Sequence, residues 1–327
     1  MKASHGRVEF SLKRKGNGMK FATKFLILLL LFSGAFAQHT LKVEKVITLT
    51  TPQQGFFFYP KLTPDGQKVL FTGPRFKGLY LLDLSNRQIT DLNNEDGAGY
   101  EYQIGPEGKY VYYRTSTFKH YKKYYSLKRQ SLTDRTVQVL EHQVRNLQPP
   151  EIRQGVLIYL KEARPVQKAL MPVLKKSPAV QARAVFVGDK NMIVAENGSE
   201  KILAPLGEGR YIWPRLSPDG TKLVFTLAGD ATYVCDLDGN ILSKIGYANA
   251  PTWSPDGQWI AYMVDHDNGD YFTDSEIFIS GADGKKKIQV TDTPDIIEMY
   301  PDWGASLDRL VFASNRGQIF MATLKSE

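Results

Sequence analysis

Two sets of carboxylates in this sequence stand at spacings that chemistry could use. The first is the run Asp265-His266-Asp267-Asn268-Gly269-Asp270-Tyr271-Phe272-Thr273-Asp274-Ser275-Glu276. It places oxygen ligands at positions 1, 3 and 12 of a twelve-residue loop, where a calcium loop carries carboxylates and a terminal bidentate glutamate. Asp265, Asp267, Asp270 and Glu276 are therefore candidate ligands for calcium, the one cofactor the pattern admits. The run departs from that loop at position 5, where Gly269 replaces a ligand, and at position 6, where Asp270 replaces the turn glycine. An acidic connection between two strands accounts for the same residues. The second set is Glu101 and Glu151, which would serve as a general acid and base only at a separation that sequence cannot supply. His39, His120, His142 and His266 are scattered along the chain, so neither a histidine metal cluster nor a Ser-His-Asp set can be assembled, and no catalytic residue is assigned.

The elements that must position such groups begin after a leader. Of 42 Lys+Arg and 34 Asp+Glu, residues 1–37 hold seven basic residues and one acid, so the remainder carries 35 against 33 and is nearly neutral. A basic segment ending at Lys24, an apolar run from Phe25 and the small-residue site Ala35-Phe36-Ala37 read as a secretory signal. The apolar stretch, Phe25 to Phe36, is 12 residues, short of the roughly 20 that cross a bilayer. The expectation is a signal peptide over 1–37, a periplasmic or secreted chain over 38–327, and no membrane span in the mature chain. Cys235 is the only cysteine, which excludes an internal disulfide.

Self-similarity organises the rest. Tyr59-Pro60-Lys61-Leu62-Thr63-Pro64-Asp65-Gly66, Trp213-Pro214-Arg215-Leu216-Ser217-Pro218-Asp219-Gly220 and Ala250-Pro251-Thr252-Trp253-Ser254-Pro255-Asp256-Gly257 are near copies, and Ile104-Gly105-Pro106-Glu107-Gly108 is a looser one. Pro sets φ, Asp bonds its own backbone and Gly accepts a positive φ, so each copy reverses the chain between two strands. A β-type run follows each, as in Val69-Leu70-Phe71 and Leu223-Val224-Phe225. Val156-Leu157-Ile158-Tyr159 and Leu310-Val311-Phe312 mark two further units without the turn, with Ala163 to Gln181 lengthening the third unit. Six units of about 48 residues, four strands each, predict an all-β, six-bladed β-propeller, with the alternating segment Leu41 to Leu49 closing the ring as an N-terminal outer strand.

These Pro-Asp-Gly repeats with their following strands resemble the WD40-like (PD40) repeats of TolB-type propellers over most of residues 41–327. The resemblance implies a role in envelope protein assemblies. The α/β domain that precedes the propeller in TolB has no counterpart here, and the Gly-x-Ser-x-Gly motif of peptidases that carry such propellers is absent. A free-standing propeller is expected.

Repeat alignment then predicts a ring about the channel. Lys61, Gln103, Glu151, Arg215, Thr252 and Asp302 form one layer, and Tyr59, Glu101, Pro149, Trp213, Ala250 and Tyr300 the layer before it. Aromatic area beside mixed charge suits a peptide or glycan, although packing and pairing around the axis would use the same residues. The segment Tyr110 to Tyr125 interleaves Tyr with Arg114, Lys119, His120, Lys122 and Lys123. That pattern can bind single strands, but an exported, nearly neutral chain argues for no nucleic acid and for a protein or acidic glycan contact instead. The reading is an exported, non-catalytic propeller that binds a protein partner in the cell envelope. The alternative is a channel-site enzyme or a glycan- or peptide-binding propeller.

Overall fold

The computed structural model describes residues 40–170 and 182–326; the segment expected as a signal peptide and residues 171–181 lie outside the described residues. The chain is all-β, but it forms seven blades rather than the six the repeat arithmetic predicts. Blade 1 runs Phe58–Leu62, Lys68–Thr72, Leu79–Asp83, Ile89–Asn93 from the channel outward, and blade 2 runs Gln103–Ile104, Tyr110–Lys119, Lys122–Ser131, Val137–Val144. Blade 5 (Tyr211–Leu216 to Ile241–Gly246) and blade 6 (Asn249–Trp253 to Lys287–Gln289) follow the same order. Blade 7 supplies Glu298–Trp303, Arg309–Ser314 and Ile319–Ser326, and the N-terminal strand Leu41–Thr48 pairs antiparallel with the last of these as its outer strand.

The miscount lies in the third unit. Its residues form two three-stranded blades, Glu151–Arg153, Val156–Lys161, Arg164–Ala169 and then Arg183–Val187, Met192–Glu196, Ser199–Leu203. Among the described residues each shows three strands, and neither carries a Pro-Asp-Gly turn, so both signals of a repeat boundary are missing. Three strands leave the chain at the far end of blade 3. The inner strand of blade 4 consequently runs opposite to the others: Val187 reaches the mouth, while Arg183 Nη1 donates to Gly220 O at 3.4 Å near the turn end of blade 5.

Blades are held by their faces. Among the described residues, seven apolar clusters occupy the seven seams between neighbouring blades, including the seam of Phe71 and Leu82 with Val311 and Ile319 that joins blade 1 to blade 7. Successive strand residues point to opposite faces. Val69 and Phe71 therefore enter one seam and Leu70 the next. This is why the second strands read as unbroken apolar runs instead of alternating ones.

The turn that punctuates the repeat uses one residue more than its Pro-Asp-Gly core. In blade 6, Ser254 Oγ donates to Asp256 Oδ1 at 2.5 Å and accepts from Trp259 N at 2.9 Å, while Gln258 N donates to Asp256 at 3.0 Å. Thr63 and Ser217 do the same in blades 1 and 5. Gly66, Gly220 and Gly257 take φ of 65°, 71° and 68° to close the reversal. Because Ser254 is fully buried, Ser254→Ala leaves Trp259 N without its acceptor. It is expected to lower the unfolding free energy by about 2 kcal/mol in urea titration, with a smaller loss for the exposed partner change Asp256→Ala.

Candidate functional site

The inner strands of four blades share one irregularity. Ladder pairs step from Phe58↔Thr72 to Lys61↔Leu70, from Ile212↔Thr226 to Arg215↔Val224, from Asn249↔Met263 to Thr252↔Ala261, and from Met299↔Ala313 to Asp302↔Val311. Two residues, Tyr59-Pro60, Trp213-Pro214, Ala250-Pro251 or Tyr300-Pro301, thus oppose one. Proline has no amide to donate and is tolerated at a bulge, and it keeps the residue before it out of right-handed helical backbone. That residue adopts a positive φ in every case: Tyr59 51°, Trp213 51°, Ala250 48°, Tyr300 57°; Glu101, at the same place in blade 2, has 52°.

Residues of this layer and the next one down surround a cavity of about 850 Å³ at the channel mouth. It takes in Tyr59, Lys61, Glu101, Glu151, Trp213, Arg215, Tyr300 and Asp302, together with Pro149, Ala250 and Thr252. Gln103 heads its strand but stands outside the cavity wall. Sequence reasoning missed Phe76, Tyr100 and the blade 4 contribution, Val185 to Lys190, with Glu208 to Arg210 beside it. The blade 4 residues carry no repeat signal. Phe76 sits in a connection where both Arg75 and Phe76 have positive φ, a backbone state its sequence does not announce.

One side of the mouth is aromatic. Tyr300 and Tyr59 stack with centroids 4.0 Å apart, Phe76 lies 4.9 Å from Tyr59, and Tyr100 meets Phe76 edge-on at 5.1 Å. Arg114 continues the arc, its guanidinium 5.5 Å from the Tyr100 ring and 4.1 Å from that of Tyr125. Burial, with Tyr300 and Glu101 adding to it, pushes the Tyr59 hydroxyl far above its ordinary range, so it stays protonated.

Deeper in, charge crosses the channel. Arg215 Nη2 donates to Glu101 Oε2 at 2.7 Å, and Arg215 Nη1 is 3.7 Å from Glu151 Oε1, whose other oxygen is 3.7 Å from Arg153 Nε. Burial opposes ionisation of Glu101, but Arg215 and Lys61 outweigh it and hold the carboxyl below its usual range. The guanidinium lies between the two glutamates and helps keep Glu101 ionised, so Glu101 is not poised as a general acid. Asp302 is the reverse case: burial raises its pKa, against the pull of Lys61 and Arg215. Among the described residues neither Lys61 nor Asp302 has an ion-pair partner within 4.0 Å; Lys61 lies over the Tyr102 ring at 5.4 Å.

The calcium run becomes a hairpin, and its ligands do not converge. Asp265 is buried and accepts from Asn249 Nδ2 at 2.6 Å and Tyr247 Oη at 3.2 Å. Asp267 caps Gly269 N at 2.8 Å, and Asp270 is exposed at the tip. The register sets Asp265 opposite Ser275 and Glu276 opposite Val264, so these two carboxylates leave opposite faces. Among the described residues no three His, Cys, Asp or Glu side chains are placed to hold a metal. Glu276 instead accepts from Thr293 N at 2.8 Å, and the Thr293 hydroxyl donates to Glu298. Burial first, and Glu276 after it, push the Glu298 carboxyl up to about 7.

Two outcomes follow from these charges. Arg215→Met leaves Glu101 facing the channel unpaired. A quarter of that side chain is open to channel water, so the expected loss is about 2 kcal/mol rather than the larger cost of a fully buried orphan; Arg215→Met with Glu101→Gln should recover part of it. Glu298 has a raised folded-state pKa, so its contribution is present below about 4.5 and lost as pH rises through about 7. Unfolding free energy should fall by roughly 3 kcal/mol between those limits, and Glu298→Gln should flatten that part of the pH profile.

No family model matches the sequence, and no curated protein matches it. Solved structures do resemble the fold. TolB from Acinetobacter baumannii matches at 19% identity over 71% of this chain and 53% of that one, with a TM-score of 0.47, so this chain spans about half the length of that protein. An oligogalacturonate lyase in complex with manganese matches at 16% identity over 88% and 97%, with a TM-score of 0.49. The Cps50 (Swd1) β-propeller domain of Myceliophteria thermophila matches at 12% identity over 87% and 99%, with a TM-score of 0.55. At 12% identity the likeness to the Swd1 domain shows the β-propeller fold alone.

Proposed function

We propose that this chain is an exported, TolB-type propeller of the WD40-like (PD40) repeat kind, and that it binds an envelope protein partner by taking an extended segment of that partner into the channel mouth. The observation that carries the reading is the division of the mouth. An aromatic wall from Tyr300 to Tyr100 faces a cavity whose base holds the Glu101–Arg215–Glu151 clamp, with Lys61 and Asp302 outside any ion pair among the described residues. A peptide supplies apolar side chains for such a wall and main-chain amides and carbonyls for such a base, and the volume lies within the range of sites that enclose small ligands. Stacking of sugar rings needs exposed aromatic faces. Tyr59 and Tyr300 turn theirs on each other, which favours peptide over glycan.

Residues 1–37 carry the signal for export in this reading, and no cofactor is required. The enzyme reading has one observation in its favour: burial raises the pKa of Asp302 in the channel, the direction in which a general acid is tuned. Capture of the tagged protein by cross-linking in its native envelope, with an unrelated exported propeller as control, should recover one protein near stoichiometrically. Trp213→Ala and Tyr100→Ala should each weaken that capture several-fold, while Asp302→Asn should leave it in place. Absence of a specific protein, or turnover of a glycan or peptide that Asp302→Asn abolishes, would replace this reading with the enzyme.

A further inference from the structure

Two hairpins rise above the mouth, and they carry opposite charge. In blade 2 the strands Tyr110–Lys119 and Lys122–Ser131 are ten residues each, against five for Lys68–Thr72 and Leu79–Asp83 in blade 1. Both pairs start two residues after the glycine of the repeat turn, so the surplus, roughly 16 Å of strand, projects on the mouth side. Arg114, midway along, stacks over Tyr100 of the rim. In blade 6, Trp259–Asp267 and Phe272–Gly281 are nine and ten residues, and Asp265 takes its bond from Asn249, next to Ala250 of the rim. The two towers therefore stand on one face and reach similar heights.

Their charges are mirror images. Residues 110–131 contain six Lys and Arg and no acid, whereas residues 259–281 contain five Asp and Glu and no Lys or Arg. At the tips, Lys119, Lys122, Lys123, Asp267 and Asp270 are exposed and make no ion pair among the described residues. Apolar surface goes with them: Phe118 is 75% exposed, Tyr121 fully exposed and Tyr271 68% exposed. The blade 2 tip is also held in an unfavourable backbone. His120 and Tyr121 have φ of 49° and 63° in a two-residue turn that Asn-Gly would form without strain. Both side chains are exposed, and neither makes a hydrogen bond, ion pair or ring contact among the described residues.

We infer that the two hairpins are the halves of one self-complementary interface, through which two copies of this chain associate mouth to mouth. A twofold axis perpendicular to the channel and midway between blades 2 and 6 lays blade 2 of one copy against blade 6 of the other. The same operation generates the second, identical contact, as an isologous interface requires. Opposite charge sets the pairing, and the exposed aromatics at the tips supply apolar area. An anionic lipid surface would suit blade 2 alone and would be repelled by blade 6 on the same face. The association joins two mouths in a shared chamber and does not depend on what either mouth binds.

Sedimentation equilibrium of the purified protein tests this. The expected result is a dimer in about 0.1 M salt that dissociates at least ten-fold more readily in about 1 M, where the screening length falls from roughly 10 Å to roughly 3 Å. Lys119→Glu with Lys122→Glu and Lys123→Glu should give a monomer, and so should Asp267→Lys with Asp270→Lys and Asp274→Lys, each with an unchanged thermal melt. Mixed together, the two monomeric variants should form a heterodimer, and one chain carrying all six changes should dimerise again. A monomeric wild type overturns the inference, including one that binds phosphatidylglycerol vesicles through blade 2. So do variants that stay dimeric, or a mixture that fails to pair.

Discussion

Everything in this molecule depends on a packing constraint: each sheet is apolar on both faces, and only a neighbouring blade can cover a face. Seven seams of side chains such as Phe71 with Val311 and Tyr112 with Leu157 meet that need in turn, and the last seam must return to the first. An open arc would leave two apolar faces in water, so closure is an energetic requirement as much as a topological one. The N-terminal strand Leu41–Thr48 completes blade 7 from the other end of the chain, where Thr50 Oγ1 also accepts from Ile319 N at 2.9 Å. It covers an edge that would otherwise present unpaired amides and carbonyls.

The rigid seams are what allow the mouth to hold strained backbone. Five non-glycine residues with positive φ, among them β-disfavoured Ala250 and bulky Trp213, recur at one level of the inner strands. Each such residue costs on the order of 1 kcal/mol or more, and persists only where its surroundings leave it no alternative. Here the proline that follows in four of the five excludes right-handed helical backbone, and the bulge against the packed strand behind holds the left-handed state. The bulge adds a residue to the inner strand, and in doing so aims Tyr59, Trp213 and Tyr300 at the rim.

Electrostatics divide the same space by depth. Below the rim, Glu101 of blade 2 reaches Arg215 of blade 5 across the channel, a bond between residues 114 positions apart that ties opposite sides of the ring. Above it, the long hairpins of blades 2 and 6 hold tip charges that make no ion pair among the described residues. Glu101 and Arg215 satisfy each other within the ring while the tip charges are left for contacts outside, which separates groups that hold the ring from those free to meet another molecule.

How much of this was legible beforehand varies with the physics. Local chemistry is readable from sequence: Ser254 to Gly257 specify their own reversal, Val69-Leu70-Phe71 declares a strand covered on both faces, and equivalence between repeats placed Tyr59, Trp213 and Tyr300 in one layer. The bulge was present as X-Pro pairs, yet its sign of φ was not, because proline restricts the residue before it without selecting between extended and left-handed backbone. The twelve-residue acidic run read as a calcium loop became a hairpin because pairing with the opposite strand sets alternate side chains on opposite faces. What the sequence by itself determined is therefore the unit: its turn, its strands and the positions that face the axis. The number of units, and which charges meet, were decided only by the tertiary structure. Blades 3 and 4 are recognised as blades by the seams they fill rather than by any motif, and Glu101 finds Arg215 only once seven seams have closed the ring.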